Sequence, residues 1–138
     1  MANFKENSNG TETEVFPYDL DLRGFPDGIT RFILEKYRHV KGSLYVDKGF
    51  NIKLPEGLYV EGDLNLSGSF IQALPKGLTV CGSLDLSRTL FVRTLPEDLS
   101  VGGDLRIVDS SLDGLALPEN ISIGGRIIDS SYFANSGR

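Results

Sequence analysis

Apolar and polar positions alternate along this chain in short stretches that return at nearly constant intervals. Val80-Cys81-Gly82-Ser83-Leu84-Asp85-Leu86-Ser87 is one copy. The copies begin at Val40, Val60, Val80, Val101 and Ile123, so the steps are 20, 20, 21 and 22 residues. In the first four, an apolar-x-apolar pair follows: Leu44 and Val46, Leu64 and Leu66, Leu84 and Leu86, Leu105 and Ile107. A second marker runs in phase with the first: Leu54-Pro55-Glu56-Gly57-Leu58, Leu74-Pro75-Lys76-Gly77-Leu78, Leu95-Pro96-Glu97-Asp98-Leu99 and Leu117-Pro118-Glu119-Asn120-Ile121. Two markers locked at one period predict a stack of coils, each coil one lap of the chain.

A period of two sends alternate residues to opposite faces of a strand. Leu64 and Leu66 then point inward, with Asp63, Asn65 and Ser67 outward. The glycines at 42, 62, 82, 103 and 125 lie two positions before the first inward residue, where a corner needs positive φ or a close neighbouring coil. Proline fixes φ and lacks a donor, so the Leu-Pro corner lies outside strand interiors. A lap therefore reads as strand, loop with an inward Ile71 or Phe91, Leu-Pro corner, and Leu-x-Val leading back to the glycine. One lap buries too few apolar side chains to offset the entropy of ordering it, so neighbouring laps must cover each other's flanks.

The pattern weakens at both ends. Residues 1–14 are polar and read as a flexible leader. Asp19-Leu20-Asp21-Leu22 and Phe25-Pro26-Asp27-Gly28-Ile29 imitate the two markers as a degenerate first coil. Residues 30–38 then change period: Ile29, Phe32, Ile33 and Tyr37 fall at helical spacing, with Asp27 or Thr30 as N-cap and Lys36 and Arg38 near the C-terminus. A helix here would close the open end of a stack. The boundaries are a capping coil and helix over residues 15–39, a repeat solenoid over 40–122, and a C-terminal cap and tail over 123–138. In that last part Arg126-Ile127-Ile128-Asp129 loses the second inward leucine, and Tyr132 and Phe133 are candidate lid residues.

The unit Leu-Pro-x-Gly-Leu-x-Val-x-Gly-x-Leu-x-Leu-Ser-x-x-x-Ile resembles a short bacterial leucine-rich repeat. Leu64, Leu66, Ser69 and Ile71 fall on that family's spacing, as do Leu84, Leu86, Thr89, Phe91 and Leu105, Ile107, Ser110, Leu112. It is also similar to repeats of this form in phage and bacterial proteins. The resemblance covers residues 40–131 and implies a mainly β, leucine-rich-repeat-like solenoid of about five coils of 20–22 residues with an N-terminal helical cap. The family's loop asparagine is here Ser69, Thr89 or Ser110, and Gly49 in the first copy, which predicts a Ser/Thr ladder in its place. The spacing leaves open whether a second parallel sheet forms along residues 58–60, 78–80 and 99–101.

Composition narrows the function. The chain has 138 residues, 40% apolar and 24% charged, as one soluble domain would. Its net charge of −5 disfavours direct nucleic-acid binding and permits a basic partner. No apolar run has the length of a secretory signal or a membrane span, so the reading is cytoplasmic with no membrane contact. The single cysteine, Cys81, excludes an internal disulfide framework.

Candidate chemistry is sparse. His39 is the only histidine, and nothing in the spacing sets a serine or Cys81 beside it. Cys81 occupies a position held elsewhere by Lys41, Glu61, Gly102 and Gly124, which marks an exposed thiol. Val101-Gly102-Gly103-Asp104-Leu105 lacks the nine-residue period of a calcium-binding repeat. No catalytic residues, metal ligands or cofactor are expected. The outward strand positions form a ribbon with acidic columns through Asp47, Asp63, Asp85 and Asp104. Its expected partner-binding residues are Tyr45, Asp47, Asp63, Asn65, Asp85, Asp104 and Arg106. The Leu-Pro edge, with Glu56, Lys76, Glu97 and Glu119, competes with it.

These features point to a non-catalytic module binding a protein, with a basic or nucleic-acid-binding surface as the expected partner. The resemblance to phage repeats implies one concrete version, an inhibitor of a bacterial complex of the anti-CRISPR or other anti-defence type. The alternative is a structural or self-associating repeat protein; the chain is expected to be a monomer, or a dimer through an end cap.

Overall fold

The computed structural model describes residues 5–6, 12–48 and 52–131. It is a mainly β solenoid in which every lap contributes one short strand to each of two sheets. One sheet has the order β1(Lys5–Glu6), β2(Glu12–Phe16), β4(Tyr37–Val40), β6(Tyr59–Val60), β8(Thr79–Val80), β10(Ser100–Val101), β12(Ser122–Ile123). The other has β3(Leu20–Asp21), β5(Leu44–Tyr45), β7(Leu64–Asn65), β9(Leu84–Asp85), β11(Leu105–Arg106) and β13(Ile127–Ile128). The question the spacing left open is thus answered: residues leading into each glycine form a second parallel sheet. All pairings are parallel except that of β1 with β2.

Register follows the repeat. Leu20, Leu44, Leu64, Leu84, Leu105 and Ile127 pair in one line. Val40, Val60, Val80, Val101 and Ile123 pair in the other. The inward leucines and valines of the middle coils are buried, so the core is a continuous apolar column down the stack. It opens at the C-terminal end, where Ile127 is 43% exposed although Leu105, its partner in register, is fully covered. Among the described residues this coil has a neighbour on one flank only.

The glycines between the two sheets serve close approach rather than positive φ. A Cβ at Gly62 would lie 2.5 Å from Ser43 Oγ and 2.8 Å from the Gly42 carbonyl carbon. Gly62, Gly82, Gly103 and Gly125 each donate their N–H to the glycine carbonyl of the coil before, at 2.8–2.9 Å. Positive φ belongs to other glycines: Gly57 and Gly77 in the Leu-Pro corners, and Gly68 after the second strand.

Four expectations need correction. The helix, α1, spans Asp27–Lys36, starting and ending earlier than the predicted 30–38. Pro26 is its N-cap, and neither Asp27 nor Thr30 supplies a capping side chain. Its end is set by tertiary pairing, because Tyr37–Val40 is drawn into the sheet between β2 and β6. Thr30 and Leu34 are its buried residues, while Ile29 and Phe32 of the expected inner face are exposed. Second, the hydroxyls at the asparagine position make no ladder between coils; the residue after Ser110 crosses instead, Ser111 Oγ donating to the Val92 carbonyl at 2.5 Å. Thr89 Oγ1 donates to the Leu86 carbonyl at 2.6 Å and Ser110 Oγ to that of Ile107 at 2.8 Å, both within their own coil. Third, Phe91 is not the inward loop residue of its coil. Val92 is fully buried there, and the additional residue of this 21-residue lap leaves Leu90 and Phe91 outside. Fourth, residues 5–6 and 12–14 of the leader read as flexible are strand; its other residues, like Gly49, Tyr132 and Phe133, lie outside the described residues.

The long loop of the fourth coil is tied to the C-terminal turn by Asp113. Its carboxylate accepts from Asp109 N–H at 2.9 Å, from Ser130 N–H at 3.2 Å and from the Ser130 hydroxyl. These donors hold the Asp113 carboxyl below the usual carboxylate range, the Ser130 hydroxyl most of all. Among the described residues, no helix is long and apolar enough to cross a membrane.

Candidate functional site

The seven residues expected on the ribbon all lie on or beside the β3–β13 sheet, distributed over three columns rather than one acidic line. The first column is Asp19, Ser43, Asp63, Ser83, Asp104 and Arg126. Here each side chain before Arg126 accepts the N–H of the equivalent residue one coil on. Ser43 N–H donates to Asp19 Oδ1 at 2.7 Å, and Asp63 N–H to Ser43 Oγ at 2.9 Å. Ser83 N–H donates to Asp63 Oδ1 at 2.8 Å, Asp104 N–H to Ser83 Oγ at 3.0 Å, and Arg126 N–H to Asp104 Oδ1 at 2.9 Å. These N–H groups sit at the corner between the two sheets, where neither sheet's ladder supplies a carbonyl for them. A short side chain with an oxygen fills that need.

The second column is Asp21, Tyr45, Asn65, Asp85, Arg106 and Ile128, set by strand pairing. Three of its members fold back on their own backbone: Asp21, Asn65 and Asp85 accept from the N–H two residues on, at 2.9–3.1 Å. Asp21 also takes Arg23 in a two-pronged contact at 2.8 Å to each carboxylate oxygen. The hydrogen bonds from the Arg23 side chain, then from its backbone, hold the Asp21 carboxyl down at about 2. The Arg23 guanidinium in turn lies 4.6 Å from the Tyr45 ring centroid, a cation–π contact. Asp47 belongs to the third column, with Ser67, Ser87 and Val108, and accepts the Gly24 N–H at 3.1 Å.

Asp47, Asp63, Asn65, Asp85 and Asp104 therefore each commit one side-chain oxygen to a backbone N–H. Pattern reading placed them outward correctly and missed this structural duty. The alternation of Asp with Ser at 19, 43, 63, 83 and 104 was its signal.

A second cluster, on the other sheet, was invisible to motif reading because its contacts join residues 20 or more apart in the chain. His39 Nε2 lies 2.5 Å from Glu61 Oε2, and the His39 and Tyr59 rings meet edge-on at 4.8 Å. The Cys81 thiol donates to the Tyr59 hydroxyl at 3.5 Å. That thiol is the main cause of a Tyr59 phenol raised above its ordinary value. Register alone makes the cluster, since His39 pairs with Tyr59 across β4 and β6. The thiol faces a phenol and the imidazole faces a carboxylate, so no nucleophile touches a base. Among the described residues, no three His, Cys, Asp or Glu side chains are grouped to hold a metal ion.

The Leu-Pro edge carries the concave surface. A cavity of about 670 Å³ lies between α1 and the corners at Leu54-Pro55 and Leu74-Pro75, lined by Arg31, Glu35, Lys53, Leu54, Glu56 and Lys76. A shallower one of about 470 Å³ shares Lys76 and continues to Glu97 and Asp98. No family model matches the chain, and neither a curated protein nor a solved structure matches it.

Proposed function

We propose that this protein is a non-catalytic, protein-binding repeat module whose acidic ribbon docks on a basic surface of a partner. The observation that supports it is the state of the ribbon carboxylates. Asp47, Asp63, Asp85 and Asp104 each have one oxygen fixed by a backbone N–H. The second oxygen of each has no hydrogen bond among the described residues. Anions held in this way, on coils about 4.8 Å apart, lose little further freedom on binding, which favours affinity. A partner whose basic surface otherwise holds nucleic acid, in a bacterial defence complex, fits both this array and the net charge of −5.

The test is affinity capture from a bacterial lysate with the wild-type chain and with Asp47→Asn/Asp85→Asn. A specific basic protein retained by the first, released by salt and not retained by the second is the expected result. Equal retention by both, with equal thermal midpoints, would remove the ribbon from consideration.

The alternative of self-association rests on a separate observation: among the described residues, β12 and β13 are paired on one side only, next to the exposed Ile127. Light scattering over a concentration series separates the readings, since end-to-end association raises the mean mass with concentration and the monomeric module does not.

A further inference from the structure

The third coil spends one more residue than the second before returning to the core, and the consequence is an apolar ridge. Ile71 fills the core three residues after Gly68, whereas Val92 does so four residues after Arg88. The added residue leaves Leu90 61% and Phe91 44% exposed, and Phe91 leans on Phe70 with ring centroids 6.2 Å apart. A 20-residue lap would have buried one large residue here and displayed one fewer.

The ridge is flanked by cations on a chain that is acidic overall. Lys48, Arg88 and Arg93 are all exposed. The Lys48 carbonyl accepts the Phe70 N–H, Arg88 Nη2 donates to Ser67 Oγ at 3.0 Å, and Arg93 directly follows Val92. Two of these cations occupy strained backbone. Lys48 has φ of 54° and Arg88 of 59°, at the step where the second coil has Gly68 at 72°. Glycine meets that conformation without strain, and long side chains rarely adopt it. Stability alone would favour glycine at both sites, so the strain marks a role for the side chains. The cationic run ends at Asp109, which holds the same step of the next coil.

We infer that this ridge is a second docking surface, separate from the acidic ribbon, for a partner protein segment carrying carboxylates beside large apolar side chains. Leu90 and Phe91 supply the apolar contact, and Lys48, Arg88 and Arg93 pair with the carboxylates around it. An anionic membrane shares the required chemistry, but three cations on a chain of net charge −5 give it little electrostatic attraction.

The experiment titrates the ¹⁵N-labelled full chain with a synthetic peptide of alternating Glu and Leu, and with its counterpart in which Lys replaces Glu. Phosphatidylserine vesicles form a third arm. The expected result is shifts centred on residues 88–93 with the Glu peptide, and affinity at least about tenfold lower for the Lys peptide. Leu90→Ser/Phe91→Ser and Arg88→Ser/Arg93→Ser should each lower affinity for the Glu peptide about tenfold or more, the wild-type affinity falling with salt. Both variants alter exposed side chains, and an unchanged thermal midpoint confirms their fold. Asp47→Asn/Asp85→Asn should leave this binding unaltered, which separates its outcome from that of the ribbon. No binding of the Glu peptide, equal binding of both peptides, or vesicle binding through the same residues would each overturn the inference.

Discussion

The Ser83 N–H donates to Oδ1 of Asp63, one coil away, at 2.8 Å. The contact joins two residues at the same step of successive laps and satisfies a corner donor that neither sheet reaches. Replacing Asp63 with Ala removes the acceptor and should cost about 1–2 kcal/mol. Asp63→Ser keeps an oxygen of the kind Ser43 and Ser83 already supply, so its cost should stay below about 0.5 kcal/mol. Urea unfolding of the two variants checks this; equal losses would show that water serves the Ser83 N–H as well as the carboxylate does.

The glycines divide by mechanism, and alanine substitution should reveal the division. At Gly68, φ is 72° and an added Cβ meets nothing within 4 Å, so Gly68→Ala carries only the left-handed backbone cost of about 1–2 kcal/mol. At Gly62 the Cβ would strike Gly42 and Ser43 backbone atoms at 2.8 Å. Relief there requires separating the coils, and Gly62→Ala should cost about 3 kcal/mol or more, the upper range for an overpacked site. Comparable midpoints for the two variants would contradict the assignment.

Val92 and Phe91 give the clearest measure of what the sequence could disclose. Period and phase were legible because every lap repeats the same burial problem, and the corners and the strands of the β3–β13 sheet, with their inward and outward faces, follow from them. The inward loop residue was not, since an added residue in the third lap shifts the phase by one, and both candidates are apolar. Val92→Ala should cost about 1–3 kcal/mol through lost burial and a cavity. Phe91→Ser should stay within about 0.5 kcal/mol, as surface changes do. The reverse order would restore Phe91 to the core. The C-terminal end of α1 was hidden for a different reason: pairing of Tyr37–Val40 with β2 and β6 decides where the helix stops, and no local signal reports it. The ribbon residues were placed on the right sheet by alternation alone, but their hydrogen bonds depend on coil spacing, which a sequence does not print.

Acid should reach two carboxylates late. Asp21 is held at about 2, chiefly by hydrogen bonds from Arg23, and Asp113 is lowered chiefly by the Ser130 hydroxyl. A carboxyl lowered in the folded state contributes stability that is complete above its unfolded value, near 3.8, and is lost as pH falls through the folded one. A carboxyl ¹³C titration should place Asp21 near pH 2 and Asp113 below 3.8. Arg23→Met should return Asp21 toward the ordinary range while leaving Asp113 in place. An Asp21 midpoint unaltered by that change would disprove the stated cause.

Arg126 ends the column that Asp19, Ser43, Asp63, Ser83 and Asp104 begin. A guanidinium has donors and no acceptor, so the N–H at the corner of any coil laid against β13 would find no oxygen at this step. The strand at the other end, β3, is also paired on one side only among the described residues. In a β3-on-β13 contact between two copies, the donor meeting residue 126 would be the Asp19 N–H. Serine at 126 would continue the alternation of Asp and Ser in frame across that junction. Arg126→Ser should therefore raise the mean mass in light scattering with increasing concentration, relative to the wild-type chain at equal concentration. Adding Ile127→Lys should reverse the gain by charging the apolar surface at the same end. If Arg126→Ser leaves the mass at the wild-type value throughout the series, the arginine does not act as the stop.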